Sequence, residues 1–227
     1  MGGIPRVIHQ TWKDERIPDG MASWVASWHR LHPDWEYRLW TDEDNRALVR
    51  AQFPELLPRY DAYSNPVERA DAARYLYLFV HGGIYADLDY ECLRPMGPLL
   101  RGRTCVLGLE PDEHCRTHHR PRIVSDAWIA AAPGHPLLAA VLEELLTCQP
   151  LDADANLRIL EGSGPFMLTR VADRLTDEDV TVLPSEVVFP LSSGDVDRIA
   201  RDGLDASDRD RLSRAYGVHY FAGTWWK

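Results

Sequence analysis

The apolar positions of this chain change period several times, and each change predicts an element. Ile4 to Trp12 carries Val7 and Ile8 as core positions behind Pro5, the pattern of a first strand that runs into a loop. Met21 to Leu31 places Trp24, Trp28 and Leu31 at helical spacing, which predicts core packing for them. Trp35 to Trp40 alternates as a second strand. Thr41-Asp42-Glu43-Asp44 is an N-cap with an acidic first turn; it opens a helix to about Gln52, which Phe53 to Pro58 breaks. Asn65-Pro66-Val67-Glu68 supplies N-cap, N1 and N3 of a further helix through Phe79, stopped by Gly82 or Gly83. Gly82 to Tyr90 then reads as a short strand. The order strand, helix, strand, helix, helix, strand predicts an α/β sheet with some parallel pairing.

The second half is less regular. Cys105 to Leu109 predicts a strand. Ser125 to Pro136 begins with an N-cap type and continues in a helix-prone Ala run. Pro136 to Thr147 is an amphipathic helix with Leu137, Ala140, Val141 and Leu145 as its stripe. Glu161 to Phe166 is a glycine turn before a helix from Met167 to Leu175. Val180 to Leu183 and Val187 to Phe189 read as short strands, and Gly194 to Ala215 as a charged helical surface. Tyr216 to Trp226 is too apolar for a disordered end.

Charge and composition narrow the function. The chain has 227 residues, 45% of them hydrophobic, enough for one sizeable core. A formal net charge of -10 argues against nucleic acid and against docking on anionic lipid, both of which need a basic footprint. There is no apolar run near 18 residues and no basic-then-apolar leader. Cys92, Cys105, Cys115 and Cys148 lack Cys-x-x-Cys spacing, which suits a reducing compartment, so a cytoplasmic location is expected.

Candidate chemistry concentrates around Gly82 to Tyr90. On a strand, Ile84, Ala86, Leu88 and Tyr90 share one face, and Tyr85, Asp87 and Asp89 share the other. Same-face neighbours lie roughly 7 Å apart, so one divalent ion with its water fits both carboxylates. A polar edge strand facing solvent is the alternative. On the preceding helix Val67, Ala70, Asp71, Arg74 and Leu78 share a face, so Asp71 and Arg74 interrupt an apolar stripe. They form either a structural ion pair or a ligand contact, Arg offering a rigid fork of donors and Asp an acceptor for sugar hydroxyls. In the polar stretch Asp112 to Arg122, His114, Cys115, His118 and His119 are metal-capable, with ligand-like spacing from Cys115 to His118. No second ligand pair follows, so a mobile surface loop is expected rather than a zinc site.

Arg69-Ala70-Asp71-Ala72-Ala73-Arg74-Tyr75, followed by Gly82-Gly83-Ile84-Tyr85-Ala86-Asp87-Leu88-Asp89, resembles the DXD-motif glycosyltransferases of the family 32 type. That group includes the fungal α-1,6-mannosyltransferase-like enzymes, bacterial polysaccharide relatives and the catalytic domains of the large clostridial glucosylating toxins. Ile8-His9-Gln10-Thr11-Trp12, Trp40 to Asp44 and the closing His219-Tyr220-Phe221-Ala222-Gly223-Thr224-Trp225 extend the resemblance. It implies one GT-A domain over residues 1–227, a Rossmann-like mixed sheet flanked by helices. The donor-binding part would be about 1–110, and the acceptor side and closing tail about 111–227.

The resemblance also implies roles. Asp87 and Asp89, with His219, would hold Mn²⁺ or Mg²⁺. Trp12 would stack on the nucleotide base, supported by His9 and Gln10, with Tyr85 on the same side; a packed aromatic is the other reading of Trp12. Asp71 and Arg74 would fix the sugar, and Thr224 and Trp225 (or Trp226) would touch the β-phosphate. His219 could equally be a satisfied core residue of a last strand. Asp126, where relatives usually carry Asn, and Gly164 would lie on the acceptor side, although Asp126 could instead only cap a helix.

The implied activity is metal-dependent, retaining transfer of a hexose from a UDP- or GDP-sugar to a hydroxyl of a glycan, lipid-linked or small-molecule acceptor. A lipid-linked acceptor would bring peripheral membrane contact. The competing readings are a metal-dependent phosphohydrolase using the same Asp pair and a non-catalytic sugar-binding module. The hydrolase would need further clustered His and Asp ligands, which the sequence near Asp87 and Asp89 lacks.

Overall fold

A computed structural model describes residues 2–147, 154–175 and 180–223. A six-stranded sheet forms its centre. In chain order the elements begin with β1 (Val7–Thr11), a 3-10 turn (Asp19–Met21), α1 (Ala22–Leu31), β2 (Glu36–Trp40), α2 (Asp42–Gln52), α3 (Leu57–Ala62) and α4 (Pro66–His81). Then come β3 (Gly83–Ala86), β4 (Tyr90–Cys92), α5 (Gly97–Leu100), β5 (Cys105–Leu109), α6 (Asp112–Thr117) and β6 (Val124–Ala131). The remainder is α7 (Pro136–Thr147), α8 (Ala155–Gly162), α9 (Pro165–Arg174), β7 (Val180–Leu183), α10 (Ser185–Val188), α11 (Ser193–Asp202), α12 (Ala206–Arg214) and β8 (Gly217–His219).

The sheet order is β2-β1-β3-β6-β5-β7, and β4 pairs with β8 in a separate two-stranded ribbon. β1 runs parallel to β2 and β3, β5 runs parallel to β7, and β6 runs antiparallel to both its neighbours. This is the mixed α/β sheet expected. Two apolar layers sandwich it. One packs α4, α7 and α9 through Tyr75, Leu76, Leu138, Val141, Met167 and Leu168. The other gathers Ile8, Trp28, Ile84, Tyr90, Trp128 and Phe189.

Several expected elements have other forms. Ser125 to Ala131 is a strand, not a helix, and all eight residues of β6 are buried. Flanked by β3 and β5, it pairs both of its ends in ladders, and that outweighs the modest helix preference of alanine. Val187 and Val188 belong to the short helix α10, not to a strand. The polar stretch at 112 holds α6 in place of a loop, with His114 buried. α3 and α8 follow no pattern noticed in the sequence. The strand at 83 ends at Ala86, so Asp87 and Asp89 sit on the turn that leaves it.

Candidate functional site

The site is built from the helix upward. Asn65 caps α4 with a full capping box to Glu68, and Gly82 ends it at φ +63°. Gly83 follows at φ +106°, and a Cβ there would drive into the Val7 carbonyl oxygen. Only glycine lets β3 lie this close to β1. The parallel pair β1 and β3 therefore points its carboxyl ends at one rim, where ligands of open α/β sheets bind.

β1 braces β3 from behind. The Trp40 indole N–H donates to His9 Nδ1 at 3.0 Å, so Nε2 carries the proton and donates to the Gly82 carbonyl at 2.9 Å. Burial holds the imidazole neutral, with its pKa pulled down to about 4. Gln10 Nε2 donates to the Asp87 carbonyl at 2.9 Å and its Oε1 accepts from the Tyr37 hydroxyl at 2.8 Å. Both side chains are fully buried. Of the backbone or side-chain contacts by which the resemblance has them support a base, the side chains are already committed: they clamp the two ends of β3. Trp12 packs beside the Met21, Val25 and Leu88 cluster, half-buried, with its indole N–H lacking an acceptor among the described residues.

Asp87 and Asp89 leave β3 in a tight turn. The Asp87 N–H donates to the Ala127 carbonyl and the Tyr90 N–H to the Asp87 carbonyl. The Tyr85 hydroxyl donates to Asp87 Oδ1 at 2.6 Å; Tyr85 is buried and orients that carboxylate from beneath, so it offers no open face to a nucleotide. Asp89 is held from the far end of the chain. Its Oδ1 lies 3.0 Å from His219 Nε2, and its Oδ2 accepts the Ala222 N–H at 2.8 Å. His219 Nε2 is also 3.7 Å from Asp87 Oδ2.

Ligand atoms of Asp87, Asp89 and His219 all lie within 4.8 Å of one another. This oxygen-rich set with one imidazole fits Mn²⁺ or Mg²⁺. Burial alone would lower the His219 pKa, but Asp89 and Asp87 outweigh it and raise it to about 9. Burial likewise opposes ionisation of Asp89, and His219 overcomes it, leaving that carboxyl below its usual range. The buried His219 Nδ1 has no partner among the described residues. No zinc group at Cys115 and His118 occurs among the described residues; His118 packs edge-on to Phe166 instead.

Beside this triad one guanidinium serves three carboxylates. Arg74 Nη2 donates to Asp71 Oδ1 at 2.6 Å and lies 3.5 Å from Asp87 Oδ1. Its Nη1 donates to the Asp126 carbonyl at 2.9 Å and is 3.1 Å from Asp126 Oδ2. The guanidinium also lies 4.8 Å from the Tyr85 ring centroid. Burial raises the Asp71 and Asp126 pKa values, with Arg74 pulling the other way. Of the two readings of the interrupted stripe, the buried ion pair is what the structure holds, and it reaches the DXD turn. Asp126 sits on β6 and caps no helix, which removes that alternative.

The sequence reading missed Ser163, whose hydroxyl donates to Asp71 Oδ2 at 2.9 Å. Gly164 is adjacent, and a Cβ there would stand 3.5 Å from the same oxygen. The Gly-Ser-Gly turn before α9 was the available signal. Thr224, Trp225 and Trp226 lie outside the described residues.

Residues 18–106 match the model of the glycosyltransferase sugar-binding region containing a DXD motif. The chain is 40% identical over 149 residues to inositol phosphoceramide mannosyltransferase 1 of Schizosaccharomyces pombe, covering 64% of this chain and 44% of that one. It thus spans under half the length of that relative. It is 34% identical over 194 residues to the uncharacterized glycosyltransferase L373 of Acanthamoeba polyphaga mimivirus, covering 83% and 74%. Among solved structures, the PaToxG glycosyltransferase shares the fold with a TM-score of 0.55 at 15% identity, covering 93% of this chain and 79% of that one.

Proposed function

Since this chain belongs to the glycosyltransferases whose sugar-binding region contains a DXD motif, we propose that it moves a hexose, mannose by the naming of its relatives, from a nucleoside diphosphate to a hydroxyl acceptor with retention of anomeric configuration. The acceptor we propose is the inositol phosphate headgroup of a ceramide lipid, as the name of the fission yeast relative suggests, met one headgroup at a time at the site and not by the general attraction to anionic lipid that a net charge of -10 opposes. The observation that carries the metal-dependent reading is the meeting of Asp87, Asp89 and His219 at the rim where β1 and β3 end.

Bound there, a divalent cation supplies Lewis acidity and charge neutralisation for a departing diphosphate, worth several kcal/mol. The chain's own residues do the rest. Tyr85, Gln10 and the Ala127 carbonyl fix the Asp87 turn, and the Ala222 N–H fixes Asp89, so both carboxylates are placed before ligand arrives. Arg74 holds Asp71, Asp87 and Asp126 in one constellation, which sets the seat of the sugar. The bond from the anomeric carbon to the phosphate oxygen breaks on the face at which the acceptor oxygen bonds, and the acceptor proton passes to the departing diphosphate. This front-face course is proposed because the carboxylates of Asp71 and Asp126 at that seat are both engaged by Arg74.

The test is transfer from GDP-mannose and UDP-hexoses with Mn²⁺, following nucleoside diphosphate release. Asp87→Ala and Asp89→Ala are expected to lower turnover at least 100-fold with circular dichroism unchanged. Turnover near wild type in both rejects the assignment; release of inorganic phosphate instead of nucleoside diphosphate points to a hydrolase.

A further inference from the structure

The buried imidazole of His114 has no part in the function proposed above. Its two ring nitrogens are both engaged. Nδ1 lies 2.8 Å from Glu110 Oε2, and Nε2 accepts the Ser193 N–H at 3.0 Å with the Ser193 hydroxyl at 3.1 Å. The ring is therefore pinned between the end of β5 and the first turn of α11. What it presents is an aromatic face. Phe221 stands edge-on to it, with centroids 4.8 Å apart and planes at 86°. Phe221 also packs on the His219 ring, with centroids 4.2 Å apart. Phe221 is also one of two non-glycine residues with positive φ among the described residues, at +46°. A bulky residue holds that conformation only where its surroundings over-determine it, and such strain clusters at functional sites.

The strained residue sits between two contacts to one carboxylate residue. The Tyr220 N–H donates to the Asp89 carbonyl at 3.0 Å, and the Ala222 N–H donates to Asp89 Oδ2 at 2.8 Å. The left-handed step at Phe221 is what turns the chain to deliver both. We infer that His114 is a positioning residue for the Asp87, Asp89 and His219 group: through Phe221 it holds the returning segment around Asp89 and sets His219 against the DXD turn. This deepens the proposed function and rests on its metal-binding reading. Outer partners of metal ligands typically contribute 10- to 100-fold in affinity, and an aromatic strut acting on both His219 and the Asp89 clasp belongs in that range.

The experiment uses the full chain and has two arms. In metal-free protein, hydrogen exchange at the Tyr220 and Ala222 amides reports the clasp directly. In the second arm Mn²⁺ alone is titrated calorimetrically. His114→Ala is expected to speed exchange at both amides at least tenfold and to weaken Mn²⁺ binding about tenfold. His114→Gln keeps a hydrogen-bonding group near Glu110 and Ser193 but lacks the ring; it is expected to behave like His114→Ala at the clasp while preserving protection in α6. Phe221→Ala is expected to match His114→Ala, and the double variant to add little, because residues acting through one contact are not additive. Unchanged exchange in His114→Gln overturns the inference, as does Mn²⁺ affinity within twofold of wild type despite a loosened clasp. Absence of Mn²⁺ binding by the wild type, with no Asp89→Ala difference, overturns the metal reading itself; the exchange arm still decides whether His114 holds the clasp.

Discussion

Arg74 shows how much a single residue carries here. The residue is 5% exposed, and its guanidinium faces the carboxylates of Asp71, Asp126 and Asp87. A buried acid without a counter-ion is far costlier than the intact pair is favourable. Arg74→Ala is therefore expected to destabilise the protein by about 3–5 kcal/mol, read from urea unfolding. Arg74→Lys retains the charge but not the fork that spans Asp71 and Asp126, so its loss should be smaller while transfer still falls. Equal midpoints for Arg74→Ala and wild type would show that the carboxylates are solvated or protonated and need no partner. At this scale the sequence was informative wherever a polar residue broke a local period. Asp71 and Arg74 stand out on an apolar helix stripe, and Asp87 and Asp89 at the end of a strand. It was silent on Ser163 and on the buried roles of His9 and Gln10. Those depend on partners distant in the chain, 92 residues away for Ser163 and 73 and 77 for His9 and Gln10.

Elements with local causes were the legible ones. The N-caps at Thr41 and Asn65 formed as their residue types predict, each as a full capping box, and α7 spans the amphipathic stretch from Pro136 to Thr147. The misread elements are those that tertiary packing decides. β6 is alanine-rich, but each of its residues is enclosed by β3, β5 and the layers above and below, and a strand is the conformation that the sheet leaves room for. The DXD turn is a similar case. Alternation from Ile84 to Tyr90 suggests one strand, whereas Tyr90 begins the separate β4–β8 ribbon. The junction of α4 and β3 gives this scale its prediction. Gly83→Ala places a methyl group against the Val7 carbonyl at a φ of +106°. It is expected to cost more than about 2 kcal/mol, since both strain and overpacking contribute. It should weaken Mn²⁺ binding as well, because β3 must shift relative to β1. Thr41→Ala, which removes only a cap, is expected to cost about 1 kcal/mol and leave Mn²⁺ binding unchanged. Calorimetric melting and Mn²⁺ titration of the two variants make the comparison; equal effects on metal binding would mean that the β1–β3 spacing does not set the DXD turn.

On the scale of the whole molecule, the chain returns on itself to finish its site: His219 meets Asp89 from 130 residues away. No local pattern specifies that meeting, and only the family resemblance pointed to it. The closure links global stability to pH and to metal with opposite signs. In metal-free protein the His219 pKa is about 9, above its ordinary value of 6.5. The folded state then binds more protons than the unfolded one between those values, so this contribution is complete below pH 6.5 and disappears as pH rises through 9. Mn²⁺ must displace that proton, because only the neutral imidazole offers its lone pair. Apparent Mn²⁺ affinity is therefore expected to rise up to about tenfold per pH unit from 6.5 to 8, with up to one proton released per ion. An ion present at about 100 times its Kd adds roughly 2.7 kcal/mol to stability, which for a chain of this size is a shift of about 5–10 °C in Tm. The Mn²⁺ increment in Tm should grow from pH 6.5 to 8 at fixed metal, vanish with EDTA, and lose its pH dependence in His219→Gln. An increment that stays level across that range would mean that His219 does not share the cation with Asp87 and Asp89.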